Sequence, residues 1–84
     1  MLKVEIYYAD WCPYCKKALD IFKKKNIKYI LYNIDKSNKI KEESIKRSGK
    51  TSIPQIFIGN KYIGGFDELN KLNKQNKLNY IFNI

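Results

Sequence analysis

Cys12-Pro13-Tyr14-Cys15 is the stretch of this chain best suited to chemistry. Residues three apart on a helix have Cβ atoms about 5–6 Å apart, close to disulfide range. A small rotation can then close or open an S–S bond, and that chemistry is thiol–disulfide exchange. The two thiols are not equivalent. Alternating apolar residues precede the pair and a helical pattern follows it. Cys12 therefore stands at or just before a helix start, with Pro13 as the favoured first helical residue. Its sulfur faces the free N–H groups of Tyr14 and Cys15, where the aligned peptide dipoles act as roughly half a positive charge. Both effects favour thiolate over thiol and make Cys12 the nucleophile. Cys15, one turn on, shares a buried face with Ala18 and Leu19. Desolvation keeps it protonated until Cys12 has been consumed, so it resolves rather than attacks. Plainer readings are a structural disulfide, a metal-ligand pair or two inert buried thiols. A four-residue loop constrains the unfolded chain little. There is no His and no second Cys pair to complete a zinc site. Pro13 at the helix start argues against inert thiols.

The elements that position this pair are those of one small domain, residues 1–84. Apolar residues make up 44% of the chain, enough for a core. A chain this short buries only roughly 60–65% of its unfolded surface. Without His, no Ser-His-Asp or Cys-His catalysis is possible, and two Cys cannot form the multi-bridge framework of a small secreted domain. The first residues enter strand pattern directly, and nothing approaches an 18-residue apolar span. A cytoplasmic protein, with no membrane contact, is expected. The net charge of +9 invites a nucleic-acid reading. Its lysines are scattered over helix faces and turns, however, and no Arg cluster or RNP-like aromatic motif accompanies them. Ile, Lys and Asn dominate the composition, as A/T-rich coding would produce. A solvated lysine surface is the expectation, with no nucleic-acid partner.

Leu2, Val4, Ile6 and Tyr8 alternate with Lys3, Glu5 and Tyr7, which predicts a strand. Cys15, Ala18, Leu19 and Phe22 lie on one helical face, and Lys23–Asn26 end that helix. Lys28–Ile34 is apolar on both faces, as an interior or parallel strand is. Ser37 caps a second helix that runs to Ser48 and stops at Gly49, with a thin apolar face of Ile40 and Ile45. Gln55–Ile58 and Lys61–Ile63 form a hairpin around Gly59-Asn60, with Gly59 supplying a type II′ turn. Gly64-Gly65 breaks the chain, and Asp67 starts a third helix carrying Leu69 and Leu72. The stretch 73–77 shifts the apolar phase before a short terminal turn with Leu78, Ile81 and Phe82. The order β-α-β-α-β-β-α predicts an α/β fold: a mixed four-stranded sheet flanked by helices.

These motifs resemble those of the glutaredoxin family. Cys12-Pro13-Tyr14-Cys15 is similar to the dithiol active-site tetrapeptide of small bacterial glutaredoxins. Thr51-Ser52-Ile53-Pro54-Gln55-Ile56-Phe57-Ile58 resembles the family's T-x-V-P-x-[IV]-F-[IV] segment, and Gly64-Gly65-Phe66-Asp67 its G-G-x-D segment. The likeness covers residues 2 to about 72. It implies a thioredoxin-like fold, a cis peptide bond before Pro54 and a glutathione groove. Tyr14, Thr51, Ile53, Pro54, Gly65, Phe66 and Asp67 are the groove residues it implies. Ile53 would offer its backbone to the glutathione cysteine as an added strand does. The N–H groups of Phe66 and Asp67 would bind the γ-glutamyl carboxylate. The Asp67 side chain, also an ordinary helix N-cap, would meet the ammonium.

Two positions depart from the family pattern. Ala9 stands where a Lys is common three residues before the first Cys; Lys16 or Lys50 are candidate substitutes. Trp11 precedes Cys12, as in thioredoxins, either covering the site edge or contacting protein substrates. The resemblance implies a glutathione-dependent thiol–disulfide oxidoreductase acting on glutathionylated and disulfide-bonded proteins, ribonucleotide reductase among the possible ones. It implies a monomer, no tightly bound cofactor and no metal, with glutathione as reducing co-substrate. The alternatives are a thioredoxin-like redoxin reduced by an NADPH-dependent flavin reductase and an iron–sulfur carrier bridging two chains.

Overall fold

A computed structural model describes residues 2–84. The first expected strand forms as β1, Val4–Tyr8, and lies inside a four-stranded sheet. β2 (Ile30–Asn33) runs parallel to β1, with Leu31 opposite Ile6. β3 (Gln55–Ile58) runs antiparallel to β1 on its other side, with Ile56 opposite Ile6. β4 (Lys61–Gly64) closes a hairpin with β3, and the spatial order is β2-β1-β3-β4. The helices are α1 (Pro13–Lys24), α2 (Asn38–Ser48), α3 (Phe66–Lys74) and α4 (Lys77–Phe82). The expected α/β architecture, a mixed sheet flanked by helices, is present, and the terminal turn is a separate short helix.

One face of the sheet carries the apolar core. Val4 and Ile6 of β1 join Ile56 and Ile58 of β3. They pack with Ala18 and Phe22 of α1, Leu69 of α3 and Leu78 of α4. Burying each large side chain of this kind stabilises by roughly 1.5–3 kcal/mol. Leu19 is only partly buried at the margin of this cluster. Asn76, at φ +59°, separates α3 from α4, and this break is the shift of apolar phase visible in the sequence.

The other face is also covered, which the alternating pattern of β1 does not announce. Glu5, Tyr7, Gln55 and Phe57 are buried there beneath α2. The single arginine, Arg47, makes this possible. Its guanidinium donates to both Glu5 oxygens, at 3.0 and 3.2 Å, and to the Tyr7 hydroxyl at 3.0 Å. It also lies 4.0 Å above the Phe57 ring. Tyr7 donates to Glu43 at 2.7 Å and Tyr32 donates to Glu5 at 2.9 Å. The Arg47 hydrogen bonds hold the Glu5 carboxyl below the ordinary value of 4.5, against the opposing effect of burial.

The chain punctuation matches the sequence closely, with one correction. Ser37 Oγ accepts the Ile40 N–H at 3.4 Å, and Gly49 at φ +72° donates to Ile45 O at 2.7 Å, so α2 starts and stops where expected. Gly59 and Asn60 both take positive φ, +58° and +70°. That is the type I′ pattern rather than type II′, because Asn tolerates the left-handed region almost as Gly does. β2 is parallel to β1, one of the two possibilities its two-sided apolar pattern allows, and it lies at the sheet edge. Ile30 and Leu31 are 42% and 38% exposed.

Removing Arg47 would leave Glu5 buried without its cation. Arg47→Ala should lower stability by about 3 kcal/mol at pH 7. Because the folded Glu5 pKa is depressed, the stability it contributes is present above about pH 4.5 and is lost as pH falls through the lowered value. Denaturant unfolding at pH 7 and pH 3 should therefore show the gap between the variant and the parent narrowing in acid. A constant gap would contradict the ion-pair assignment.

Candidate active site

Strand directions bring the three sequence motifs to one edge of the sheet. β1 and β2 run one way and β3 the other, while β4 runs with β1. The residues after β1 and β4 and those before β3 therefore meet. They are Cys12, Gly65–Asp67 and Ile53–Pro54 respectively. Cys12 is the N-cap of α1, in extended conformation, and Pro13 is the first helical residue. Its Sγ accepts the Cys15 N–H at 3.2 Å, as its place at the helix start predicts. It also lies 3.9 Å from the carbonyl oxygen of Ile53, to which the thiol can donate. The Ile53–Pro54 bond is cis, as the family resemblance implies.

Both cysteines are free. Cys15 is fully buried, and Cys12 is only 4% exposed. Burial pushes the Cys15 thiol up to about 12, and the neighbouring Cys12 adds to the effect; a hydrogen bond with the Ala9 backbone opposes it. Cys15 is thus held as the thiol, the state expected of a resolving residue.

A cleft of about 400 Å³ lies next to the cysteine pair, walled by Tyr14 and Ile53; the buried Cys12 is not itself in its lining. Of the expected groove residues, Tyr14, Ile53, Pro54, Gly65, Phe66 and Asp67 line it. Thr51 is exposed and is not part of its lining. The Tyr14 ring stacks obliquely on Phe66 with centroids 5.8 Å apart, and the Lys17 ammonium lies 5.1 Å from the Tyr14 centroid. Lys50, Ser52, Tyr62 and Glu68 complete the wall. Lys50 is the one of the two candidate substitutes for the missing lysine that reaches this cleft. Ala9 itself is 1% exposed and closed off from solvent.

The start of α3 differs from the expectation in one respect. Gly65, not Asp67, is the N-cap, and Asp67 is the second helical residue. Glu68 Oε1 accepts the Gly65 N–H at 2.7 Å and so performs the helix-side half of a capping box. Glycine relieves a tight approach here: a Cβ on Gly65 would lie 3.3 Å from the Pro54 carbonyl oxygen. Gly64 takes φ +127°, outside the usual range of other residues. The first-turn N–H groups of Phe66 and Asp67 have no acceptor within the helix. Glu68 is three residues past Gly65, a capping signal present in the sequence but not used. Tyr62 and Ser52 carry no local signal; only the packing of the hairpin against the residues before Pro54 selects them.

On the opposite flank, Trp11 is 67% exposed, and its indole N–H donates to Asp35 Oδ2 at 2.7 Å. Among the described residues, no three His, Cys, Asp or Glu side chains are grouped to hold a metal ion.

Comparison with known proteins agrees with this geometry. The Glutaredoxin family model matches residues 4–63. Glutaredoxin 3 of Escherichia coli K12 is 42% identical over 78 residues, covering 93% of this chain and 94% of that protein. Glutaredoxin 1 of Rickettsia prowazekii is 46% identical over 77 residues, covering 87% and 79%. The solution structure of glutaredoxin from Brucella melitensis superposes with a TM-score of 0.82 at 33% identity, covering 96% of this chain and 88% of that one. The buckwheat glutaredoxin–glutathione complex shares the fold, with a TM-score of 0.82 at 24% identity over 92% of this chain and 73% of that one. The match over most of the chain, together with the cysteine pair at the start of α1, places this protein in the glutaredoxin family.

Proposed function

We propose that this protein is a glutathione-dependent oxidoreductase that reduces protein–glutathione mixed disulfides and protein disulfides. Thiol–disulfide exchange is the activity of its family. The observation that supports glutathione as the co-substrate is the placement of Cys12 Sγ on the Cys15 N–H, beside a cleft that ends at the start of α3. A glutathionyl group in that cleft would pair its cysteine backbone with Ile53. Its γ-glutamyl carboxylate would take the N–H groups of Phe66 and Asp67, and its ammonium would meet the Asp67 side chain. Lys50 would attract the glycine carboxylate. Tyr14 and Pro54 would flank the sulfurs. The buckwheat glutaredoxin, of the same fold, has been solved with glutathione.

In the first step, the Cys12 thiolate attacks the glutathione sulfur of a mixed disulfide. A Cys12–glutathione bond forms, and the protein thiolate leaves and takes up a proton. A second glutathione thiolate attacks the bound glutathione sulfur. It releases glutathione disulfide and restores the Cys12 thiolate. With an intramolecular protein disulfide, Cys12 first becomes joined to the protein. Cys15 then loses its proton and attacks Cys12, which frees the dithiol and leaves a Cys12–Cys15 bond. Two glutathiones reduce that bond. The Cys15 thiol, held up near 12, does not compete for the first attack. We place this activity in the cytoplasm, in a monomer, with glutathionylated or disulfide-bonded proteins such as ribonucleotide reductase as substrates. No helix among the described residues is long and apolar enough to cross a membrane.

Two measurements test this assignment. In a glutathione-coupled assay, Cys12→Ser should abolish turnover of every substrate. Cys15→Ser should keep deglutathionylation and lose reduction of intramolecular protein disulfides. Turnover retained in Cys12→Ser would sink the mechanism. Turnover supported by an NADPH-dependent flavin reductase but not by glutathione would favour a thioredoxin-like redoxin. Separately, Cys15 in the Cys12→Ser protein should react with iodoacetamide at pH 8 about a hundredfold more slowly than an exposed thiol. Burial, the largest cause of its raised pKa, survives that substitution. Mass spectrometry of the alkylated chain gives the rate, and rapid labelling at pH 8 would contradict the buried-thiol assignment.

A further inference from the structure

The glutathione cleft occupies only one side of Cys12. Across the sheet edge, the ends of β2, β1, β3 and β4 follow one another. Pro54 and Gly65 stand on the β3–β4 side. Asp35 stands on the other side, two residues beyond β2. Trp11 joins the two flanks: it precedes Cys12 in the chain and bonds to Asp35. An aromatic side chain this exposed is ordinarily mobile, but this one is tied at a defined angle. Asp35 is fixed in turn, since its backbone N–H donates to Asn33 Oδ1 at 2.9 Å. Asn33 Nδ2 donates to Asp10 Oδ2 at 3.4 Å.

Two acidic side chains flank Trp11 in a protein of net charge +9. The chain carries 17 Lys and Arg against 8 acids. The two charged side chains held by hydrogen bonds around Trp11 are nevertheless both acidic, Asp10 and Asp35. Each carboxylate uses one oxygen in the contact and keeps the other free to accept. No Lys or Arg occurs from Ala9 to Cys15, and the nearest lysines in the chain are Lys16, after Cys15, and Lys36, after Asp35.

From this arrangement we infer that Trp11, Asp10 and Asp35 form a docking surface for the polypeptide half of the substrate, and that they select segments with a basic side chain beside the reacting cysteine. The inference rests on the proposed deglutathionylation. When glutathione fills the cleft, a polypeptide bonded to its sulfur must leave Cys12 by the remaining side. That side is the Trp11 flank. A peptide backbone or an Arg side chain can stack on the fixed indole. A cation there can reach both carboxylates, while an acidic segment meets two like charges.

Three mixed disulfides of glutathione test this. One carries a cysteine peptide flanked by Arg, one the same peptide flanked by Glu, and one carries 2-mercaptoethanol. The expected kcat/KM for the Arg peptide exceeds that for the Glu peptide by about tenfold, a difference that added salt reduces. Asp10→Asn with Asp35→Asn should erase the preference. Trp11→Ala should lower both peptides about tenfold, as loss of an aromatic anchor does, and leave the 2-mercaptoethanol substrate within about twofold. A preference for the Glu peptide would mean that the overall charge governs binding and would overturn the inference. So would the absence of any preference, or a loss in Trp11→Ala shared equally by all three substrates. Turnover of the 2-mercaptoethanol substrate by the parent protein checks the proposed activity independently of the docking surface.

Discussion

The structure depends on one constraint: the Cys12 sulfur must sit on the Cys15 N–H at the start of α1 and beside the backbone that precedes β3. The register of β1 and β3 satisfies both. Tyr7 lies opposite Gln55, so Pro54 comes directly before the paired stretch and Cys12 five residues after it. A one-residue slip would reverse the facing of β3. Gln55 and Phe57 would then enter the apolar core, and Ile56 and Ile58 would face Arg47. Both sides of the sheet resist that slip, so the position of the sulfur is fixed by residues that never touch it. The hairpin to β4 adds the last element, and Gly65 allows α3 to start against the Pro54 carbonyl.

The face beneath α2 supports the same edge by different means. Its residues are largely polar, and they are stable there because nearly every group finds a partner. Arg47 serves Glu5, Tyr7 and the Phe57 ring at once. Only a planar guanidinium with several donors can do so, and a lysine at this position would supply a single point charge. The lone arginine in a lysine-rich chain therefore stands at its most buried charged contact. Gln55, at the site end of β3, extends this polar layer to the active site. Its amide donates to the Lys50 carbonyl oxygen at 2.9 Å and anchors the segment that carries Lys50, Ser52 and Ile53 into the cleft.

What the sequence makes legible follows the range of the interactions involved. Ser37 and Gly49 bound α2 through contacts three and four residues away, and a local pattern reveals them. Cys12 and Pro13 mark the start of α1 for the same reason. Asp67 looks like a cap because caps are usually Asp or Ser, but α3 starts earlier, with Gly65 as its N-cap close to the Pro54 carbonyl. The apolar run at Ile30 and Leu31 suggests an interior or parallel strand, and it does not tell which. β2 ends the sheet because β3 takes the other side of β1, and topology of that kind leaves no local trace. The Glu5–Arg47 contact joins residues 42 apart and is equally silent. The candidate site divides in the same way. Its cysteines, Pro54 and Phe66 stand in readable motifs, whereas Tyr62 and Ser52 enter the cleft only through tertiary packing.

The charge of +9 acquires meaning only when it is divided by location. Most of the lysines lie on exposed helix faces, where water and salt screen them within about 10 Å. At the site the distribution is uneven. Lys50 and Lys17 flank the side where an anionic tripeptide would lie. Asp10 and Asp35 hold the side from which a polypeptide would leave. Neither flank is of one sign, since Asp67 and Glu68 line the cleft beside Lys50 and Lys36 follows Asp35 in the chain. A mixed disulfide would therefore be oriented by particular contacts, Lys50 and the start of α3 on one side of the sulfur and Trp11 with Asp10 and Asp35 on the other, and not by the net charge of either flank or of the protein.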